Sequence, residues 1–197
     1  MISEEFLGAF AETLRCDATV EHASSFADHV LINKLTSKRW LADQLLLVTQ
    51  PKNVLILGSW YSTYLPYALG ADHYTCVDID SSVINLSAKF NERLYGNNDK
   101  FTYEVGDAQE WLLKDTSQFD VIINTSCEHM SFNMSDIELA PNTFYVLQSN
   151  NYTIIKDHIN CKADLNSFIE STGLNNILYS GLKSLAKYDR YMVIGTL

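Results

Sequence analysis

Residues 53–58 read Asn-Val-Leu-Ile-Leu-Gly, an unbroken apolar run closed by glycine. A strand with one wet face alternates apolar and polar side chains, so a run without alternation marks a strand covered on both faces. Such a strand needs helices above and below it, and the sequence supplies them. Further strand-like runs follow at Tyr74–Asp78, Phe101–Val105, Phe119–Asn124, Thr143–Leu147, Asn175–Tyr179 and Arg190–Thr196. Helical segments separate them at about Tyr64–Leu69, Ser81–Tyr95 (begun by serines that can cap it), Ala108–Lys114 and Ala163–Thr172, with a weaker link at Ser131–Ala140. This alternation predicts an α/β fold with a mostly parallel sheet and helices on both faces. No helix long enough for a crossover joins the last two runs. They are expected to pair as an antiparallel hairpin with a long loop at Leu182–Asp189.

The first fifty residues have a different period. Phe6, Phe10 and Leu14 recur at four, Phe26, Val30 and the Leu31–Leu35 stretch form a second stripe, and Leu41, Leu45 and Val48 a third before Gln50-Pro51 stops the helix. The expected organisation is a helical cap over residues 1–50 and an α/β domain over 51–197. An apolar content of 47% with 19% charged residues supports a sizeable core and excludes wholesale disorder.

Charge narrows the partners. The formal net charge is −10, and between Phe101 and Asn150 eight acidic residues face the single base Lys114. A surface of that sign repels phosphate backbones, so duplex nucleic acid is not an expected partner. No apolar run approaches the ~20 residues needed to span a bilayer, and no membrane partner is expected. The opening Met-Ile-Ser-Glu-Glu-Phe-Leu-Gly-Ala-Phe lacks the basic stretch of a secretion signal. Cys16, Cys76, Cys127 and Cys161 are far apart, without a Cys-x-x-Cys pair, and read as reduced thiols of a cytoplasmic protein.

In a parallel sheet the ligand sits beyond the carboxyl ends of the strands, at the switch point of strand order. The first strand ends in Gly58-Ser59-Trp60-Tyr61-Ser62, the second in Asp78-Ile79-Asp80, the third in Gly106-Asp107-Ala108 and the fourth in Asn124-Thr125-Ser126-Cys127-Glu128-His129. Gly58 lets the backbone approach a nucleoside. Asp78 lies where an acid takes ribose hydroxyls, and Asp107 where a carboxylate can accept an adenine amino group. Any one of these acids alone reads first as a helix cap; at successive strand ends they point to a nucleoside-type ligand.

The order Val-Leu-Ile-Leu-Gly-Ser-Trp (54–60), Cys-Val-Asp-Ile-Asp (76–80), Val-Gly-Asp-Ala-Gln-Glu-Trp (105–111) and Phe-Asp-Val-Ile-Ile-Asn (119–124) resembles motifs one to four of the class I S-adenosylmethionine-dependent methyltransferases. The resemblance spans roughly residues 50–197. It implies a Rossmann-like three-layer sandwich, its seven-stranded sheet mostly parallel with an antiparallel last strand, which Tyr188–Gly195 suits. It also implies S-adenosyl-L-methionine as cofactor. Gly58, with Ser59 and Trp60, would lie at the methionine end, Asp78 and Ile79 at the ribose, and Asp107 with Ala108 at the adenine. Asn124 would open the loop beside the transferable methyl. The family usually carries an acid two residues before Gly58 and glycines two and four residues after it, where this chain has Ile56, Trp60 and Ser62. An indole there would pack or would face the sulfonium, since a ring face attracts a cation.

Methyl transfer from a sulfonium needs alignment and, for an oxygen acceptor, removal of a proton. His129 has a suited pKa, Glu128 can orient it or act itself, and His158 is a second base. Cys127 lacks a nearby base to lower its pKa and is not expected to be a nucleophile. No metal is expected: adjacent Cys127, Glu128 and His129 point in different directions, further ligands would have to come from His158 or Cys161, and the spacing carries no zinc signature. Gln148–Tyr152 reads as a polar loop at the site mouth. Lys38 and Arg39 read first as a solvated helix face, and otherwise as cations for a ligand carboxylate. The expected function is methyl transfer to a small polar acceptor. Two alternatives stand beside it: aminobutyrate transfer from the same donor, as in nicotianamine-synthase-like enzymes, and a non-catalytic nucleoside- or protein-binding module. Oligomeric state leaves no signal in the sequence.

Overall fold

Alternation within the strands builds the layers. In β1 (Asn53–Leu57), Val54 and Ile56 point to one face of the sheet and Leu55 and Leu57 to the other, and all four are buried. Five parallel strands follow one direction: β3 (Phe101–Val105), β2 (His73–Asp78), β1, β4 (Val121–Asn124) and β5 (Phe144–Asn150). β7 (Asp189–Thr196) pairs antiparallel with both β5 and β6 (Asn176–Ser184), giving the order β3-β2-β1-β4-β5-β7-β6. Six strands thus point one way and β7 alone the other, as the resemblance implied. The computed structural model describes residues 2–28, 32–96 and 99–197; the predicted stripe residues Val30 and Leu31 lie outside them.

Each face of the sheet has its own core. On one, Val54, Ile56, Tyr74, Ile123 and Met192 meet Leu41 and Leu45 of α3 (Ile32–Val48) and Leu65 of α4 (Tyr64–Leu69). On the other, Leu55, Leu57, Val77, Ile122 and Leu147 meet Leu112 of α6 (Ala108–Leu112) and Phe168 of α7 (Leu165–Thr172). A third cluster joins α1 (Glu4–Cys16) and α2 (Val20–Asp28) to α5 (Ser81–Tyr95): Phe6, Phe10 and Phe26 pack with Val83, Phe90 and Tyr61. Phe10 stacks on Phe26 with centroids 4.5 Å apart, and Phe6 meets Phe90 edge-on at 5.0 Å. The first two helices therefore rest on another helix, whereas α3 contributes directly to the core of the sheet.

Three boundaries differ from expectation. β5 continues through Gln148, Ser149 and Asn150, all buried, so this polar stretch is strand and not loop. Gln148 is satisfied inside by Ser37 and Met192, and Asn150 by Glu128 and Tyr152, which lets a polar strand end extend into the interior. The hairpin between β6 and β7 closes over residues 185–188, because β6 runs on to Ser184. The cap of α5 is Asp80, which accepts from Ser82 and Val83, and not the serines.

The aromatic cluster sets a test. Phe26→Ala, at a side chain with no exposed surface, should cost about 3–4 kcal/mol in denaturant unfolding. Truncating Val20 of the same helix, which is 98% exposed, should leave stability within about half a kcal/mol.

Candidate functional site

A cavity of about 750 Å3 opens beyond the carboxyl ends of the parallel strands. One wall is made by Gly58, Trp60, Asp78, Ile79, Asp107 and Ala108; the opposite wall includes Glu128, His129, His158 and Arg190. Lys34 and Lys38 of α3 line it as well.

The turn after β1 has left-handed backbone at alternate residues: φ is +56° at Gly58, +46° at Trp60 and +33° at Ser62. These are the positions where the resembled family has its glycines. The backbone path is kept and two side chains are imposed on it, at a cost of order 1–3 kcal/mol each. Polar contacts hold the turn in place. The Trp60 amide donates to Asp78 Oδ2 at 2.7 Å, Ser87 Oγ donates to the Trp60 carbonyl at 3.0 Å, and Asn91 Nδ2 to the Ser62 carbonyl at 3.3 Å. The indole lines the cavity without closing it. Lys34 Nζ lies 3.9 Å from its centroid, so the protein's own ammonium already occupies a face of the ring.

Asp78 has a double role. Oδ1 also accepts from the Asp80 amide at 3.1 Å, and burial raises its carboxyl pKa against the lowering effect of these hydrogen bonds. Asp107 is exposed at the cavity mouth and caps α6, with Oδ1 accepting from Gln109 at 2.7 Å and from Glu110 at 3.2 Å. The bland reading of Asp107 as a cap and its place on the cavity wall both hold.

The opposite wall is organised by Glu128. Its Oε1 receives Arg190 Nη1 at 2.5 Å and Asn150 Nδ2 at 2.6 Å, and its backbone carbonyl receives the Asn160 amide at 2.9 Å. A second guanidinium nitrogen of Arg190 donates to the Thr125 carbonyl. Arg190 reaches this end because β7 is antiparallel: its second residue lies in register with Asn150, the last of β5. The rings of His129 and His158 meet edge-on with centroids 4.5 Å apart. Burial lowers the pKa of His129 against the pull of Glu128, so the imidazole is neutral at pH 7. Cys127 is pushed up to about 12, by burial first and by Glu128 second, and remains a thiol; the expectation against a nucleophile there agrees.

The sequence from residue 41 to 174 matches the profile of the spermine/spermidine synthase domain. The chain belongs to that family. No curated protein matches it by sequence. Among solved structures, this family member is similar to the N-methyltransferase NodS of Bradyrhizobium japonicum WM9 in complex with S-adenosyl-L-homocysteine: TM-score 0.66, 12% identity, 98% of each chain covered. It is also similar to magnesium protoporphyrin IX methyltransferase of Synechocystis PCC 6803 with bound S-adenosylmethionine, at TM-score 0.61 and 12% identity over 100% of this chain and 99% of that one. An O-methyltransferase family protein of Burkholderia thailandensis follows at TM-score 0.58 and 11% identity, covering 98% and 68%. The expected class I methyltransferase fold is what these likenesses establish.

Not every predicted residue of the family member reaches the cavity. Gly58, Trp60, Asp78, Ile79, Asp107, Ala108, Glu128, His129 and His158 line it. Ser59 and Asn124 do not. Ser59 turns inward as its amide donates to the Val77 carbonyl, and the Asn124 side chain folds back to accept the Ser126 amide at 2.9 Å, facing a small hollow behind the loop. Of the two α3 cations singled out in the sequence, Lys38 lines the cavity while Arg39 pairs with Asp43 on the exposed surface. Sequence reading missed Arg190, Lys34 and Tyr188. A lone cation opening the apolar run Tyr191–Ile194 was the available signal for Arg190, but its meaning depends on strand register.

Burial, then the charges of Lys34 and Arg190, pull the Lys38 pKa down to about 7. Below that value the folded and unfolded chains both hold the proton, and the cost of the buried charge is full. Above it the folded chain sheds the proton while the unfolded one keeps it up to about 10.4, so Lys38 makes stability rise with pH across this window. Denaturant titrations should therefore show the stability advantage of Lys38→Met over the wild type shrinking as pH is raised from 7 to 10; a constant difference would refute the depressed pKa.

Proposed function

We propose that this family member is an S-adenosylmethionine-dependent methyltransferase of a small polar acceptor in the cytoplasm. The reading is carried by one observation: Asp78 and Asp107, at the ends of the neighbouring strands β2 and β3, share a cavity with the left-handed Gly58. The volume of about 750 Å3 falls in the range of small-molecule sites, roughly 300–1,000 Å3. A Cβ on Gly58 would stand 3.0 Å from Met130 Cε, so a side chain there would press on a residue that lines the cavity. The residues fit the donor. Asp78 would take the ribose hydroxyls on its remaining lone pairs, Asp107 the adenine amino group, and Lys34 with Lys38 the carboxylate of the methionine end. The bound donor supplies a methyl group already activated on a sulfonium. The chain's own work is then to align the acceptor on the Glu128–His129–His158 wall and to relieve its oxygen of a proton, for which the neutral His129 is suited. The bound S-adenosylmethionine and S-adenosylhomocysteine of two structural neighbours support this assignment.

The family match favours a second reading, aminopropyl transfer. An aminopropyl arm is the donor's aminobutyrate arm without its carboxylate. Lys34 and Lys38 suit a donor that keeps that carboxylate, which favours S-adenosylmethionine itself over its decarboxylated form, so methyl transfer is preferred to aminopropyl transfer. Aminobutyrate transfer would also keep the carboxylate, and product analysis separates the three.

In calorimetry S-adenosylhomocysteine should bind, and Asp78→Ala should weaken it about tenfold or more, because a charged acceptor of two hydroxyls is lost. Turnover should release S-adenosylhomocysteine; methylthioadenosine as product would transfer the assignment to arm transfer. Absence of heat and of any thermal shift with either nucleoside would remove every reading based on this donor.

A further inference from the structure

Glu128, His129 and His158 each offer a ligand atom, and these atoms lie within 4.8 Å of one another. Three further observations turn this proximity into a site. Glu128 is 4% exposed; its Oε1 is taken by Arg190 and Asn150, but Oε2 is buried and has no hydrogen-bond partner among the described residues. A buried carboxylate oxygen left unpaired beside two imidazoles is costly unless something electropositive meets it. The second observation concerns the rings. His158 Nδ1 lies 2.7 Å from the Tyr152 carbonyl. A histidine that donates one ring N–H to a carbonyl presents the lone pair of its other nitrogen, the arrangement in which imidazoles bind metals. Third, all three residues line the cavity, so the position is open to solvent and to a substrate.

We propose that Glu128, His129 and His158 bind one divalent transition-metal ion on the acceptor wall of the cavity. Two imidazoles and one carboxylate select a borderline ion such as zinc, cobalt or iron over magnesium or calcium, which require more oxygen ligands. Arg190 leaves the site with less negative charge than a multi-carboxylate site, which further disfavours hard ions that bind by charge alone. Three protein ligands leave open positions, as in catalytic and not structural centres. An ion there would hold an acceptor oxygen and lower its pKa, taking the place of His129 as the means of freeing that oxygen of its proton, so the acceptor class becomes a metal-binding oxygen nucleophile such as a vicinal diol or a hydroxy acid. The expectation drawn from sequence spacing, that no metal binds, is replaced: the ligands are supplied by the 127–129 turn and the segment after β5, which the fold brings together across twenty-nine positions of sequence, from 129 to 158.

The ion and the donor reading are separable. Cobalt(II) titrated into the metal-free protein should give one equivalent of visible absorption, and zinc should displace it, while millimolar magnesium should not. Asp78→Ala should keep this binding, and Cys161→Ser should keep it too, since its thiol neighbours His158 at 3.8 Å without being a proposed ligand. His129→Ala and His158→Ala should each weaken cobalt at least about tenfold with circular dichroism unchanged. Should either variant fail to fold, the wild type answers alone: cobalt should shift the imidazole proton resonances of two of the five histidines. No absorption, binding that survives both substitutions, or shifts confined to other histidines would overturn the site. S-adenosylhomocysteine binding is expected to persist in His158→Ala, so loss of the ion and loss of the donor cannot be confused.

Discussion

The ion pair between Glu128 and Arg190 is the contact on which the cavity wall opposite Asp78 depends. Both side chains are nearly buried, at 5% and 10% exposure, and are held by each other and by the hydrogen bonds around them, although Glu128 Oε2 has none among the described residues. Those bonds recruit the surroundings. Asn150 comes from the end of β5, Arg190 from the start of β7, the Asn160 amide from the following loop, and the Thr125 carbonyl from the end of β4. Two of these stretches meet on the carboxylate itself, while the Asn160 amide holds the Glu128 backbone carbonyl and the Thr125 carbonyl holds the guanidinium. Removing either partner would leave an uncompensated interior charge, which costs far more than a surface pair.

Much of the donor half was legible in the sequence because it is written locally. The unalternating run at residues 53–58, the acids at strand ends and the helical repeats each follow from a period of two or about four, and the structure places β1, Asp78 and Asp107 accordingly. The acceptor half was less legible, because its meaning lies in pairing. Gln148, Ser149 and Asn150 look like a loop until their buried partners on α3, β7 and the 127–129 turn are known. Asn124 and Ser59 stand at the right strand ends, yet a two-residue turn and a backbone bond rotate them away from the cavity. The spacing of Glu128, His129 and His158 is uninformative for a metal as sequence, since the loop from 151 to 163 folds back on itself through the bond between His158 and Tyr152.

Membership of the spermine/spermidine synthase domain family and likeness to methyltransferases describe one architecture from two sides. A sheet of this order can present a sulfonium nucleoside in one place while the opposite wall decides which substituent on sulfur leaves. In this chain that wall combines an imidazole whose pKa is lowered, a carboxylate with one unpaired oxygen, and an arginine supplied by β7.

The two walls also differ in compliance. On the nucleoside side, the turn of Gly58, Trp60 and Ser62 is clamped by Ser87 and Asn91, so shifting it means prising α5 off a core of stacked phenylalanines. Across the cavity, the stretch between Tyr152 and His158 carries Ile154 largely in water and is fastened mainly at its ends. Adaptation to ligands of different shape therefore falls on that second rim, which yields while the first acts as an anvil.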